Sequence, residues 1–209
     1  MKASWLIPAG LIAACIVPAF AMIYRPATIL LENDWAMEFA PGRSDRLPLF
    51  VHALSAGLFY VLGALQVLPG FRRRHPVWHV RAGKVTILAG LAGALTGTWI
   101  AALHLEISGP VLLYGRLLFG PLWGLFLVLG VLAIVRRDFQ AHRNWMIRAF
   151  AVAMPAGTLI VFLAPFLIVL GEVSQELKEA IQTFAWVAHL SIAQLVIHRR
   201  RGAARLAPA

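Results

Sequence analysis

The sequence predicts an all-α polytopic membrane bundle: one domain, 1–209, with six transmembrane helices and both termini on the cytoplasmic side. Three observations carry that reading. Hydrophobic residues make up 60% of the chain, charged residues only 13%, and the mean hydropathy is +0.78. A soluble domain of this size carries roughly a quarter charged residues to cover its surface, so much of this surface faces lipid. The apolar residues fall into six runs, about 4–24, 48–69, 85–104, 111–135, 149–170 and 180–197. Each is long enough to cross a ~30 Å hydrocarbon core as a helix. The cations lie between the runs, and on alternate sides.

The first run, Ser4 to Tyr24, overlaps two processing patterns. Ala19-Phe20-Ala21 has the small-x-small form of a signal-peptidase site behind Lys2. Ile12-Ala13-Ala14-Cys15 has the form of a lipoprotein box, but the following residues stay apolar. A retained anchor is expected. Cys15 is the only cysteine, which rules out an intramolecular disulfide. Arg25 to Leu47 is polar and acidic, with a short interfacial helix expected over Ile29–Phe39.

The next runs are separated by short connections, which favours antiparallel neighbours. Gly93 and Gly97, and Gly120 and Gly124, have small-x-x-x-small spacing, which lets helix backbones approach where lipid removes the usual hydrophobic drive. Pro121, Pro155 and Pro165 predict bends. Two connections stand out: Phe71–Lys84 (FRRRHPVWHVRAGK) and Arg136–Arg148 (RRDFQAHRNWMIR), both read as basic, aromatic boundary hinges. Tryptophans such as Trp5, Trp78, Trp123 and Trp145 lie mostly near run boundaries, as an aromatic belt requires.

Orientation follows from the charges. With the N-terminus, both hinges and the tail after His198 on one side, that side holds fourteen of the nineteen basic residues and only Asp138 of the nine acids. The positive-inside rule makes that side cytoplasmic. The net charge of +10 is thereby explained by the membrane, with anionic lipid headgroups as the expected partner and no nucleic acid.

No nucleotide loop, zinc spacing, nucleophile elbow or intramembrane carboxylate pair is present. The notable inventory is seven histidines. His52 lies about 6 Å into the second run from outside, and His104 and Arg116 lie near the same level. His79 and His142 lie at the cytoplasmic boundary, close to Arg81 and Arg148. Matched histidines on different helices are what bis-histidine haem b requires, with arginines for the propionates. The leading reading is therefore transmembrane electron transfer with haem b and a quinone partner, no other metal being expected. The candidate contacts are His52, His79, His104, His142, Arg116 and Arg148. The alternative is a non-enzymatic membrane carrier, lipid-handling or assembly protein whose basic hinges contact headgroups. His189, roughly 15 Å into the last run, is either a functional intramembrane group or a hydrogen-bond partner.

Several blocks occur in a recognisable order: His52, Gly63-Ala64-Leu65-Gln66, the first hinge with His79 and Gly83-Lys84, Arg136-Arg137-Asp138, and His142-Arg143-Asn144-Trp145-Met146-Ile147-Arg148. Over about Pro48 to Met154 the chain resembles a bacterial family of small multi-pass membrane proteins known as domain of unknown function two-three-zero-six. The family pattern in the first hinge is H-R-W-L-G-R. Here it reads His79-Val80-Arg81-Ala82-Gly83-Lys84, without the tryptophan, and Ile160 stands near where the family tends to carry an arginine. The resemblance implies the multi-pass topology, places the chain in the bacterial inner membrane, and singles out Trp145 beside His142 and Arg148. It implies no reaction.

Overall fold

Inside a bilayer no water satisfies backbone N–H and C=O groups, so a spanning segment must bond to itself, and a helix does so completely. The computed structural model describes residues 16, 19, 20, 23, 24, 27, 43–67, 70–103, 105 and 108–206, and every element among them is helical. The elements are α1 (Arg43–Val67), α2 (Phe71–Arg74), α3 (Pro76–Leu103), α4 (Pro110–Val135), α5 (Phe139–Ala153), α6 (Pro155–Leu170) and α7 (Gln175–Leu206). α1, α3, α4 and α7 are each long and apolar enough to cross a membrane, and α5 with α6 forms a fifth candidate bent by 61°. The interfacial helix expected over Ile29–Phe39, His104 and all but a few positions of the first apolar run lie outside the described residues.

The two basic hinges are not loops. α3 begins at Pro76, nine residues before the apolar run, and α5 begins at Phe139, ten residues before its run. Proline suits the first turn of α3, because its fixed φ is helical and its missing N–H would have had no partner there. The His75 carbonyl accepts from His79 N at 2.9 Å and starts the ladder.

The α4–α5 turn is built by the residues Arg136, Arg137 and Asp138. Arg137 has φ +57°. Its N–H donates to Ile134 O at 2.9 Å, and Asp138 N–H donates to Ala133 O at 2.8 Å. This paired arrangement is a Schellman stop, which satisfies carbonyls that the end of α4 leaves over. Asp138 then caps the next helix, its Oδ1 accepting from Ala141 N at 2.8 Å. One three-residue turn thus ends one helix and starts another.

The chain divides into two compact units between Pro121 and Leu122, inside α4. In the first unit, α1 packs along α3. The buried residues of α3 are Ala82, Thr86, Ala89, Gly90, Gly93, Ala94 and Ala101, all small, while Val85, Leu88, Leu95 and Trp99 are exposed. Small inside and large outside is the pattern of a helix packed in lipid, where close backbone contact replaces hydrophobic drive. Gly93 and Gly97 on this face meet α1, and Gly120 of α4 meets the Thr98 side chain. At least these glycines of the expected pairs serve packing within the chain.

In the second unit, α7 packs on α5 and α6. It buries Ile181, Ala185, Ala193 and Ile197, a row in steps of four or eight residues with half-buried His189 in the gap. Pro155 produces the expected bend between α5 and α6, and Trp186 of α7 donates its indole N–H to Val152 O, 3.0 Å away in the last turn of α5. Pro121 and Pro165 sit within continuous helices.

Replacing Asp138 with alanine removes a cap and is expected to cost about 1 kcal/mol. Arg137→Gly relieves a left-handed backbone and is expected to gain roughly 1 kcal/mol. Reversible unfolding in mixed detergent micelles measures both, and equal signs for the two variants contradict the turn geometry.

Candidate functional site

Two histidines are held in the same way, one in each unit. In the first, His52 of α1 lies against α3, with Nδ1 3.0 Å from Gly93 O. The Thr96 hydroxyl oxygen is 3.4 Å from the same nitrogen and donates to Ala92 O at 2.7 Å. A carbonyl only accepts, so Nδ1 carries the proton and the lone pair of the neutral ring is on Nε2. The imidazole occupies the space left by Gly97: a Cβ there would stand 2.7 Å from His52 Cε1 and 3.1 Å from Nδ1. Arg116 of α4 is within electrostatic range of this ring. Its Nη1 donates to the buried Ser108 hydroxyl at 2.6 Å.

In the second unit, His142 of α5 places Nδ1 2.9 Å from Gly130 O of α4. The same argument puts its lone pair on Nε2. Gly130 also admits its neighbours, because a Cβ there would meet the Met146 methyl and stand 3.5 Å from Trp145 Cβ. Trp145 stacks on Phe126 with centroids 5.6 Å apart and planes at 29°. The Arg148 guanidinium lies 4.6 Å over the Trp145 ring, and its Nε donates to Gln194 Oε1 at 3.1 Å. A cation on an indole face adds electrostatic attraction to packing and fixes both side chains. Asn144, 2% exposed, accepts from Gln140 at 3.3 Å. The block from His142 to Arg148 is therefore about two turns of helix in which His142, Asn144, Trp145 and Arg148 are held by neighbours and Arg143 is exposed.

His189 differs. Its Nδ1 is 2.7 Å from Ala185 O and its Nε2 is 3.2 Å from the Thr158 hydroxyl. With the proton on Nδ1, Nε2 of the neutral ring is an acceptor for the Thr158 hydroxyl, whose one proton is shared with Met154 O at 3.1 Å. The ring also stands edge-on to Phe162 at 5.6 Å. It bridges α6 and α7 within the buried row of α7.

His79 is half-buried on α3, one turn before Gly83 and on the same helix face. Gln66, at the end of α1, covers Gly83, with Oε1 3.6 Å from the position of a Cβ. Its Nε2 is buried without a hydrogen-bond partner among the described residues. His79 belongs to the first unit and His142 to the second. No group of three histidine, cysteine or acidic side chains suited to a metal ion occurs among the described residues.

Residues 49–197 match the family model described as predicted membrane protein (DUF2306). The chain belongs to that family. The match extends the resemblance past Met154 to include α6 and most of α7, and with them His189. No curated protein and no solved structure matches this DUF2306 protein. Family membership and several apolar helices make it a multi-pass membrane protein.

The sequence marks His52 and His142 as residue types but not two of the features that seat them, Gly130 and Thr96. Gly130 was legible in one respect: it lies twelve residues before His142, on a helix joined to α5 by a three-residue turn.

The two glycine seats predict opposite tolerance. Gly97→Ala drives a Cβ into a ring pinned by its own hydrogen bond and is expected to destabilise by roughly 1–3 kcal/mol. Gly130→Ala displaces only the flexible end of Met146, and better helix propensity offsets the cost. Combining Gly97→Ala with His52→Ala should be markedly less damaging than the sum. Detergent unfolding of the four variants checks this, and a Gly130→Ala loss as large as that of Gly97→Ala contradicts it.

Proposed function

We propose that this DUF2306 protein is a haem b-type electron-transfer protein of the bacterial inner membrane, exchanging electrons with a lipid-soluble quinone. The observation that carries the reading is the tautomer shared by His52 and His142. Each ring donates Nδ1–H to a glycine carbonyl of a neighbouring helix, which orients the imidazole and leaves Nε2 as a lone-pair donor. Metal-ligating histidines are held in this way, by a hydrogen bond from the nitrogen that does not ligate. Both rings sit in packed helices and not on loops, which suits a rigid ligand. Haem, when bound, supplies one-electron redox chemistry.

Within that reading the chain's own groups divide the remaining work. Arg116 beside His52, and Arg148 beside Trp145, supply positive charge for propionates. His79 and His104 are the remaining candidate ligands, on their sequence positions alone. His189 has both nitrogens engaged within the chain, so the carrier alternative, which needs it to line a polar path, draws no support from its geometry.

The proposal includes six helices with both termini cytoplasmic, on the strength of fourteen of nineteen basic residues falling on one side. With Cys15 replaced by serine, a cysteine at position 73 should resist a membrane-impermeant maleimide added to intact cells, and one at position 109 should react. The reverse pattern overturns the orientation.

Reduced-minus-oxidised spectra of protein purified after expression with haem supply test the chemistry. Paired α and β bands are expected. His52→Ala and His142→Ala should each remove a band set while helix content by circular dichroism is retained. A colourless, folded preparation overturns the reading, and unchanged bands in either variant overturn that ligand.

A further inference from the structure

The 28 residues of α3 span about 42 Å, roughly 12 Å more than a hydrocarbon core requires. One exposed stripe runs along the helix through Trp78, Arg81, Val85, Leu88, Leu95 and Trp99, in steps of three, four or seven residues. Its two tryptophans are 64% and 55% exposed. They are 21 residues apart, about 31 Å along the axis, which is the thickness of the hydrocarbon layer. Exposed tryptophans at that separation mark the two interfaces, and the stripe between them faces acyl chains.

Arg81 and Lys84 are exposed on and beside this stripe, about 4.5 and 9 Å inside the level of Trp78. In a bilayer bounded at Trp78 both α-carbons lie below the aromatic belt. Side chains on a helix tilt toward its N-terminus, so both reach back toward Trp78 with their stems along apolar neighbours. Before them in the chain Arg72, Arg73 and Arg74 of α2 and the following His75 are exposed, and α2 buries none of its residues. No acidic residue occurs between Phe71 and Leu105. Five permanent cations thus fall within thirteen consecutive residues without a carboxylate of their own segment to neutralise them. Below the cations Val85 and Leu88 continue the exposed strip.

We infer that α2 and the first three turns of α3 bind an anionic phospholipid from the surrounding leaflet. Its phosphate is held by Arg81 and Lys84 beneath the α2 arginines, its interfacial region lies against Trp78, and an acyl chain runs along Val85 and Leu88. The complementarity is that of an amphiphile: cations at one depth and a continuous apolar strip at the next. A soluble phosphate uses only the first. This site is independent of haem.

Titration of the purified full chain in neutral detergent tests it, with phosphatidylglycerol and phosphatidylcholine of identical chains and native mass spectrometry as the readout. Each basic side chain at an anionic surface contributes roughly fivefold to binding. Arg81→Gln with Lys84→Gln should therefore weaken phosphatidylglycerol retention about 25-fold and leave phosphatidylcholine unaffected. Arg81→Lys should retain most of the binding, which separates lost charge from lost fold. Arg199→Gln with Arg200→Gln, an equal charge change at exposed positions of α7, should alter retention less than about twofold. Wild-type retention in the Arg81/Lys84 variant overturns the site. So does an equal loss in the α7 variant, or competition by millimolar inorganic phosphate as effective as the lipid.

Discussion

A polar backbone group in hydrocarbon has to find its partner within the protein, and the polar contacts of this chain are arranged around that requirement. Helices satisfy their interiors, so the demand concentrates at ends, bends and surplus carbonyl lone pairs. Arg137 and Asp138 close the end of α4. Trp186 serves the last turn of α5, where Pro155 interrupts the ladder. Thr86, Thr96 and Thr98 turn their hydroxyls back onto carbonyls four residues earlier. His52 and His142 use the second lone pair of a glycine carbonyl on a neighbouring helix. The orientation of both histidines is thus also what helix packing in lipid favours.

Glycine makes both seats possible. A side chain at residue 97 would meet the His52 ring, and one at residue 130 would meet Met146. The seats differ in what fills the gap, a pinned aromatic ring in one and a flexible thioether in the other. The same residue type therefore has a strict role in α3 and a permissive one in α4.

Composition and run length made the helical membrane class legible, and Pro155 announced its bend. The helix starts were not legible, because hydropathy locates hydrocarbon and says little about backbone continuity. His75 to Lys84 and Phe139 to Arg148 are polar enough to read as connections, yet Pro76 and Asp138 start helices through both. Of the site, the histidines were visible as residue types, whereas their tautomers depend on which carbonyl each ring reaches. That is set by helix rotation. Depth matching was blind to rotation: it separated His52 from His189 by level alone, whereas in the structure they differ in which groups each ring reaches.

The two histidine–glycine bonds span very different lengths of chain, twelve residues for His142 and Gly130 but forty-one for His52 and Gly93. Loop closure costs roughly 1 kcal/mol more over the longer interval. A ribosome delivers the chain from its N-terminus, so α1 enters the bilayer with its histidine unpaired and waits for most of α3 to follow. The α4–α5 hairpin has its turn, cap and histidine bond within one short stretch and closes almost as it emerges. Biogenesis of the first unit therefore passes through a stage in which a buried imidazole has no carbonyl, while the second assembles its own as it is made.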